Sequence, residues 1–217
     1  MMDLKIVSCK LNANLNLGSI SEKRLVLLDE LLMAKYSQKQ MIALGIYAYI
    51  NPVKKSAIVV GSGQININID SEDILKNLSG SIPEYIELYN AITNAFTIDN
   101  IVDSIEIDFG GLVDSLEKGK RAAAIKSSQK FTTLNKKAFE TMFPNLVGVG
   151  LRFIDDNDKF LLDAKIEPFL GDLSKFYLGF NVKSKQKMST KELEEVILAQ
   201  ITKFEIFFGF AKDNFLI

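Results

Sequence analysis

The sequence predicts an α+β protein: duplicated βαβββα units forming one continuous antiparallel sheet, with helices on one face. Three observations lead there. A strand, helix, three strands, helix pattern runs through residues 4–96 and returns over 101–207. Residues 42–50 (Ile-Ala-Leu-Gly-Ile-Tyr-Ala-Tyr-Ile) resemble 147–155 (Val-Gly-Val-Gly-Leu-Arg-Phe-Ile-Asp), with Gly45 opposite Gly150. Ile67-Asn68-Ile69 before a serine-started helix parallels Phe180-Asn181-Val182 before another. The units fall at 1–98 and 99–217. Half-length units would share one core, so a single compact two-lobed domain is expected.

The elements follow in order. Val7, Cys9, Leu11, Ala13, Leu15 and Leu17 alternate with Ser8, Lys10, Asn12, Asn14 and Asn16, which gives a strand over 5–17 with an apolar and an Asn-rich face. Ser19-x-x-Glu22 reads as a capping box for a helix ending near Tyr36, with Leu25, Leu28 and Leu32 on its apolar side. A second strand is expected over 41–50, with Ile42, Leu44, Ile46, Ala48 and Ile50 inward and Tyr47 and Tyr49 outward. Segments 56–61 and 64–70 form a hairpin across Gly61-Ser62-Gly63. Ser71 and Ser81 offer caps for a helix carrying Tyr85, Leu88, Tyr89, Ile92 and Phe96.

In the second unit, 104–109 alternates as a strand and a helix is expected near 133–142, after an extra connection. Strands follow at 146–154, 159–167 and 175–183. Ser189-x-x-Glu192 caps a long helix striped by Leu193, Val196, Ile197, Gln200, Ile201, Phe204 and Phe208. Five of the fifteen Phe fall in the last fourteen residues, so both faces of the final turns are apolar. One face packs on the sheet. The other needs a folded-back tail or another subunit.

This layout resembles the duplicated sheet of the TATA-binding-protein type. It is also similar to an uncharacterised, sporadically distributed prokaryotic family with a Val-Gly-Leu-Arg-Tyr strand, a short hairpin before an amphipathic helix, and a Phe-containing C-terminal helix. The matching residues are Val149-Gly150-Leu151-Arg152-Phe153, 58–69 followed by 83–96, and 199–208. The resemblance implies the fold and transfers no catalytic residue.

Composition removes several chemistries. There is no His, so Ser-His-Asp and Cys-His arrangements are impossible and the commonest general base is missing. The single Cys9 excludes an intrachain disulfide and a thiolate zinc site. No complete phosphate-binding glycine fingerprint occurs, and no cofactor is expected. Net charge is −1, which gives no global attraction to nucleic acid or anionic lipid. The N-terminus shows no signal-peptide pattern, and 196–210 is interrupted by Gln200, Lys203 and Glu205. A soluble cytoplasmic protein with no membrane contact is therefore expected.

The expected role is that of a non-enzymatic binding or accessory protein in a larger assembly, with a protein partner or a second copy. Its surfaces would be the sheet face, with Tyr47, Tyr49, Asn66 and Asn68, and a basic loop. That loop holds Lys118, Lys120, Arg121, Lys126, Lys130, Lys136 and Lys137, with no acid from 118 to 137. Basic side chains beside Ser127, Ser128, Gln129 and Phe131 suit phosphate and base contacts, so a nucleic-acid-binding protein using 118–137 is the alternative. The plainer reading is a solvated charge run. Strand parity also places Glu106 with Asp108, and Asp163 with Glu167, on the outer face. Adjacent strands would gather four carboxylates, as a Mg²⁺-dependent nuclease needs. The plainer reading is an ordinary polar sheet surface.

Overall fold

The computed structural model describes residues 4–96, 101–116, 118–131, 141–142 and 148–216. The first half holds β1 (Lys5–Asn14), α1 (Glu22–Leu32), β2 (Gln38–Ala43), β3 (Ile46–Asn51), β4 (Ser56–Gly61), β5 (Gln64–Ile69), α2 (Glu72–Lys76) and α3 (Leu78–Ala95). The second holds β6 (Ile101–Val102), β7 (Ser104–Asp114), α4 (Ala122–Phe131), β8 (Leu151–Asp156), β9 (Phe160–Pro168), β10 (Lys175–Ser184), β11 (Met188–Ser189) and α5 (Thr190–Ala211). A terminal π-turn spans Lys212–Leu216.

Nine strands form one antiparallel sheet in the order β2-β3-β4-β5-β1-β7-β10-β9-β8. Read outward from the β1–β7 pair, both sides run first strand, last strand, then earlier strands in turn. The left side carries one strand more, β2. The expected α+β class and single continuous sheet are what the chain forms.

The alternation decides which side is covered. Cys9, Leu11 and Ala13 on β1, Ile65, Ile67 and Ile69 on β5, and Phe176, Leu178, Phe180 and Val182 on β10 are all buried against α1, α3 and α5. Phe109 stacks on Phe204 of α5 at 5.3 Å between centroids, and Phe180 lies 5.6 Å from the same ring. Such ring contacts add about 0.5–1.5 kcal/mol beyond area burial. The tail folds back: Leu216 is buried, and Phe215 packs on Phe153 and Phe210. Ser189 and Glu192 form the expected capping box. Ser21, not Ser19, caps α1, which ends at Leu32 rather than near Tyr36. Ser71 precedes α2, whereas Ser81 lies inside α3.

The region 41–50 differs from expectation. It is a hairpin of two strands with Leu44-Gly45 at its turn, so four strands follow α1. Gly45 has φ +70°, which favours glycine, and Leu44 is 96% exposed at the tip. The facing also reverses. Tyr47 pairs with Val60 and Tyr49 with Ile58, both on the helix side, while Ile46, Ala48 and Ile50 take the other face. Tyr49 is fully buried and its hydroxyl donates to Asp29 Oδ1 of α1 at 2.7 Å. A buried phenol needs such a partner, and α1 supplies it. In the second half the described helix is Ala122–Phe131, inside the stretch expected to be a basic loop. Most of the window 133–142 lies outside the described residues.

Tyr49→Phe should lower unfolding free energy by about 1–2 kcal/mol in urea denaturation, because Asp29 keeps Lys39 as a partner. Tyr49→Ala should cost about 3–5 kcal/mol, as for other large aromatic deletions. A Tyr49 on the open face would show neither loss. Burial also pushes the Cys9 thiol well above its ordinary range, with the Asp108 charge adding to the shift. Ellman's reagent should therefore leave Cys9 unmodified in native protein and label it in denaturant.

Candidate functional site

The face away from the helices is polar and crossed by two registered rows. One runs Ala48, Val59, Asn66, Asn12, Glu106, Lys183, Leu161, Asp156. The other runs Ile50, Ala57, Asn68, Lys10, Asp108, Asn181, Asp163, Ile154. The first half contributes mostly apolar and Asn side chains, with Lys10 as its one charge in these rows. The second half contributes charge.

Over β1, β7, β10 and β9 this face holds a trough of about 900 Å³. Its floor exists because Gly110 and Gly179 lie directly opposite each other on β7 and β10. A Cβ at Gly110 would meet Ser8 Oγ at 2.6 Å, and one at Gly179 would meet Lys165 Cε at 2.8 Å. Both glycines are buried, and their lack of a Cβ lets the Ser8, Tyr177 and Lys165 side chains lie close over the strand backbones and form the floor. On one wall Asn181 Nδ2 donates to Glu106 Oε1 at 2.8 Å and to Asp108 Oδ1 at 2.6 Å. Among the described residues neither carboxylate has an ion-pair partner. On the other wall Lys165 Nζ sits 5.1 Å from the Tyr177 ring centroid and 2.9 Å from Glu167. Burial raises the Tyr177 hydroxyl pKa.

The trough runs on into an apolar hollow of about 440 Å³ lined by Val149, Pro168, Phe169, Leu170 and Leu173, with Gly150, Lys165, Glu167 and Tyr177 shared between the two. Leu170 is 88% exposed there. The combined groove therefore offers hydrogen-bond acceptors at one end and a dry surface at the other.

The expected site residues separate. Asn66 and Asn68 lie on the open face, as anticipated, and Asn66 Oδ1 is buried without a hydrogen-bond partner among the described residues. Tyr47 and Tyr49 do not: they are on the helix side. Lys118, Lys120 and Arg121 are exposed ahead of α4, Lys126 is half-buried on it, and none of them lines the trough. Backbone bonds from Ser115 to Ser174 and from Ala124 to Leu173 bring this stretch to the end of the sheet that carries the apolar hollow. Lys130 falls within α4, but its side chain lies outside the described residues, as do Lys136 and Lys137.

The four outer-face carboxylates do not gather. β10 separates β7 from β9, Arg152 holds Asp163 through Nε at 2.8 Å, and Lys165 holds Glu167. No cluster of three His, Cys, Asp or Glu placed to hold a metal ion occurs among the described residues. Sequence reasoning missed the trough itself. Its signal was the pair of glycines, Gly110 and Gly179, at open-face positions of two alternating strands.

No family model and no curated protein matches the sequence. Among solved structures, Methanococcus jannaschii TBP aligns with a TM-score of 0.40 and 15% identity, covering 93% of this chain and 97% of that chain. The fold assignment therefore rests on the sheet order and registers. Among the described residues, no helix is long and apolar enough to cross a membrane.

The Arg152 guanidinium holds the Asp163 carboxyl below the ordinary carboxylate range, against a smaller opposing effect of partial burial. Arg152→Gln should move that pKa upward in a ¹³C-detected NMR titration. A depressed native pKa stabilises above the unfolded value of about 3.9 and loses that effect as pH falls through the native value. The variant should therefore show a shallower loss of stability with acidification below about pH 4. An unmoved Asp163 pKa would mean that the ion pair does not persist in solution.

Proposed function

We propose that this chain is a non-enzymatic binding protein that acts within a larger assembly by seating an extended segment of a protein partner in the open-face trough. One observation carries the reading: a trough over Gly110 and Gly179 holds two hydrogen-bonded carboxylates, Glu106 and Asp108, that make no ion pair among the described residues, and it continues into an apolar hollow. Charge complementarity selects a basic side chain over the carboxylates, and Phe169, Leu170 and Leu173 select an apolar anchor beyond it. Asn12, Asn66 and Asn68 extend the hydrogen-bonding surface onto the first half. Residues 1–98 and 99–217 are read as two copies of one unit, the second specialised by its charge and glycines. The resemblance to the sporadically distributed prokaryotic family belongs to the same reading.

A second reading has its own support. Lys118, Lys120 and Arg121 are exposed and make no ion pair among the described residues, so they could meet phosphates with steep salt dependence.

Selection of random peptides on the immobilised protein should enrich sequences joining Lys or Arg to an apolar residue. Gly179→Leu fills the trough, pushing the Lys165 side chain aside and crowding the Tyr177 ring, and should abolish the enrichment. Glu106→Gln with Asp108→Asn should weaken the selected peptides at least about tenfold and remove the basic preference. Equal capture by wild type and Gly179→Leu would overturn the trough reading. Salt-sensitive oligonucleotide binding that is lost on charge reversal at Lys120, Arg121 and Lys126 would establish the second reading instead.

A further inference from the structure

β8 closes one end of the sheet, and among the described residues nothing pairs its outer edge. An unpaired edge directs backbone N–H and C=O groups outward and invites another strand. Natural edges are commonly defended by lysine, proline or a bulge. β8 reads Leu-Arg-Phe-Ile-Asp-Asp and runs in unbroken register with β9. It has no lysine, proline or bulge, and its edge charges are Arg152, Asp155 and Asp156. The opposite edge, β2, carries Lys39 and an irregularity between Met41 and Ala43.

The open-face residues of β8 are Arg152, Ile154 and Asp156, a cation, an apolar residue and an anion at equal spacing. Ile154 is 64% exposed. This triplet complements itself in one antiparallel arrangement, a two-fold centred on Ile154. Arg152 of each copy then faces Asp156 of the other, and Ile154 faces its counterpart. Residues opposite each other share a sheet face, so both copies keep their open faces on the same side. Behind the strand, Phe153 lies opposite Asp155, so no like charges meet directly. Arg152 already pairs with Asp163, and Asp156 with Lys185. The contact therefore continues an alternating row of Asp163, Arg152, then Asp156 and Lys185 of the second copy. The half-exposed Phe210 of α5, packed on Phe153, supplies apolar surface behind the seam.

We propose that the β8 edge pairs with the β8 edge of a second copy about Ile154, giving a two-fold dimer whose sheet runs unbroken across the seam. Of the three seam residues only Arg152 also lines the trough, so Ile154→Lys and Asp156→Lys test the seam apart from what the trough binds.

Light scattering and sedimentation equilibrium on the full chain test the pairing. Wild type should be a dimer. Ile154→Lys, Arg152→Glu and Asp156→Lys should each weaken it by at least about tenfold, since each sets like charges face to face. Arg152→Glu and Asp156→Lys, each largely monomeric alone, should form a dimer when mixed, because both cross-seam pairs are then opposite in sign. Three results would overturn the proposal: a monomeric wild type at every concentration, a dimer indifferent to Ile154→Lys, or a mixture that stays monomeric while circular dichroism shows both variants folded.

Discussion

The antiparallel pairing of β1 with β7 is the constraint on which the rest of the molecule depends. It joins the two halves into one sheet and sets Asn12 beside Glu106 and Lys10 beside Asp108. A slip of one residue would turn Cys9, Leu11 and Ala13 to solvent and drive the Asn row into the core, so burial of one face locks the register. The central aromatic packing of Phe109, Phe180 and Phe204 then anchors α5 over the same strands. Everything on the open face inherits its position from that lock.

The same register explains why the two halves of that face differ. The first half carries Ala48, Ala57, Val59, Asn66 and Asn68, short uncharged side chains, with Lys10 at its border with the second half. The second carries Arg152, Asp163, Lys165 and Glu167, charged groups that pair across and along the strands, beside two buried glycines over which Ser8, Tyr177 and Lys165 lie. Exposed pairs of this kind contribute little to stability. Asn181 is the pivot: its amide nitrogen serves both Glu106 and Asp108, which fixes two acids on one wall of the trough.

The fold was largely legible because strict alternation states which face is buried. Residues 5–17, 64–70 and 175–183 each show it and each take the expected face. Residues 41–50 failed for an equally physical reason. An almost continuous apolar run has no clear period, and Tyr fits either side of a sheet, so neither the Leu44-Gly45 turn nor the facing of Tyr49 could be read. The match of Gly45 to Gly150 also misleads on facing: Ile46 points to the open side and Leu151 to the helix side. The basic stretch reads as a loop by its charge, yet Ala122, Ala123 and Ala124 are buried on α4 and give it a packed helical face.

By itself the sequence determined the α+β class, the face each well-patterned strand buries, and the absence of histidine and disulfide chemistry. Those properties are local or compositional: a period of two, a capping box, a residue count. Only the tertiary structure decided that β10 lies between β7 and β9, that Gly110 meets Gly179, and that Asp163 is held by Arg152. Each depends on strand order and register between segments far apart in the chain. A sequence pattern records the spacing of neighbours and not which strands become neighbours.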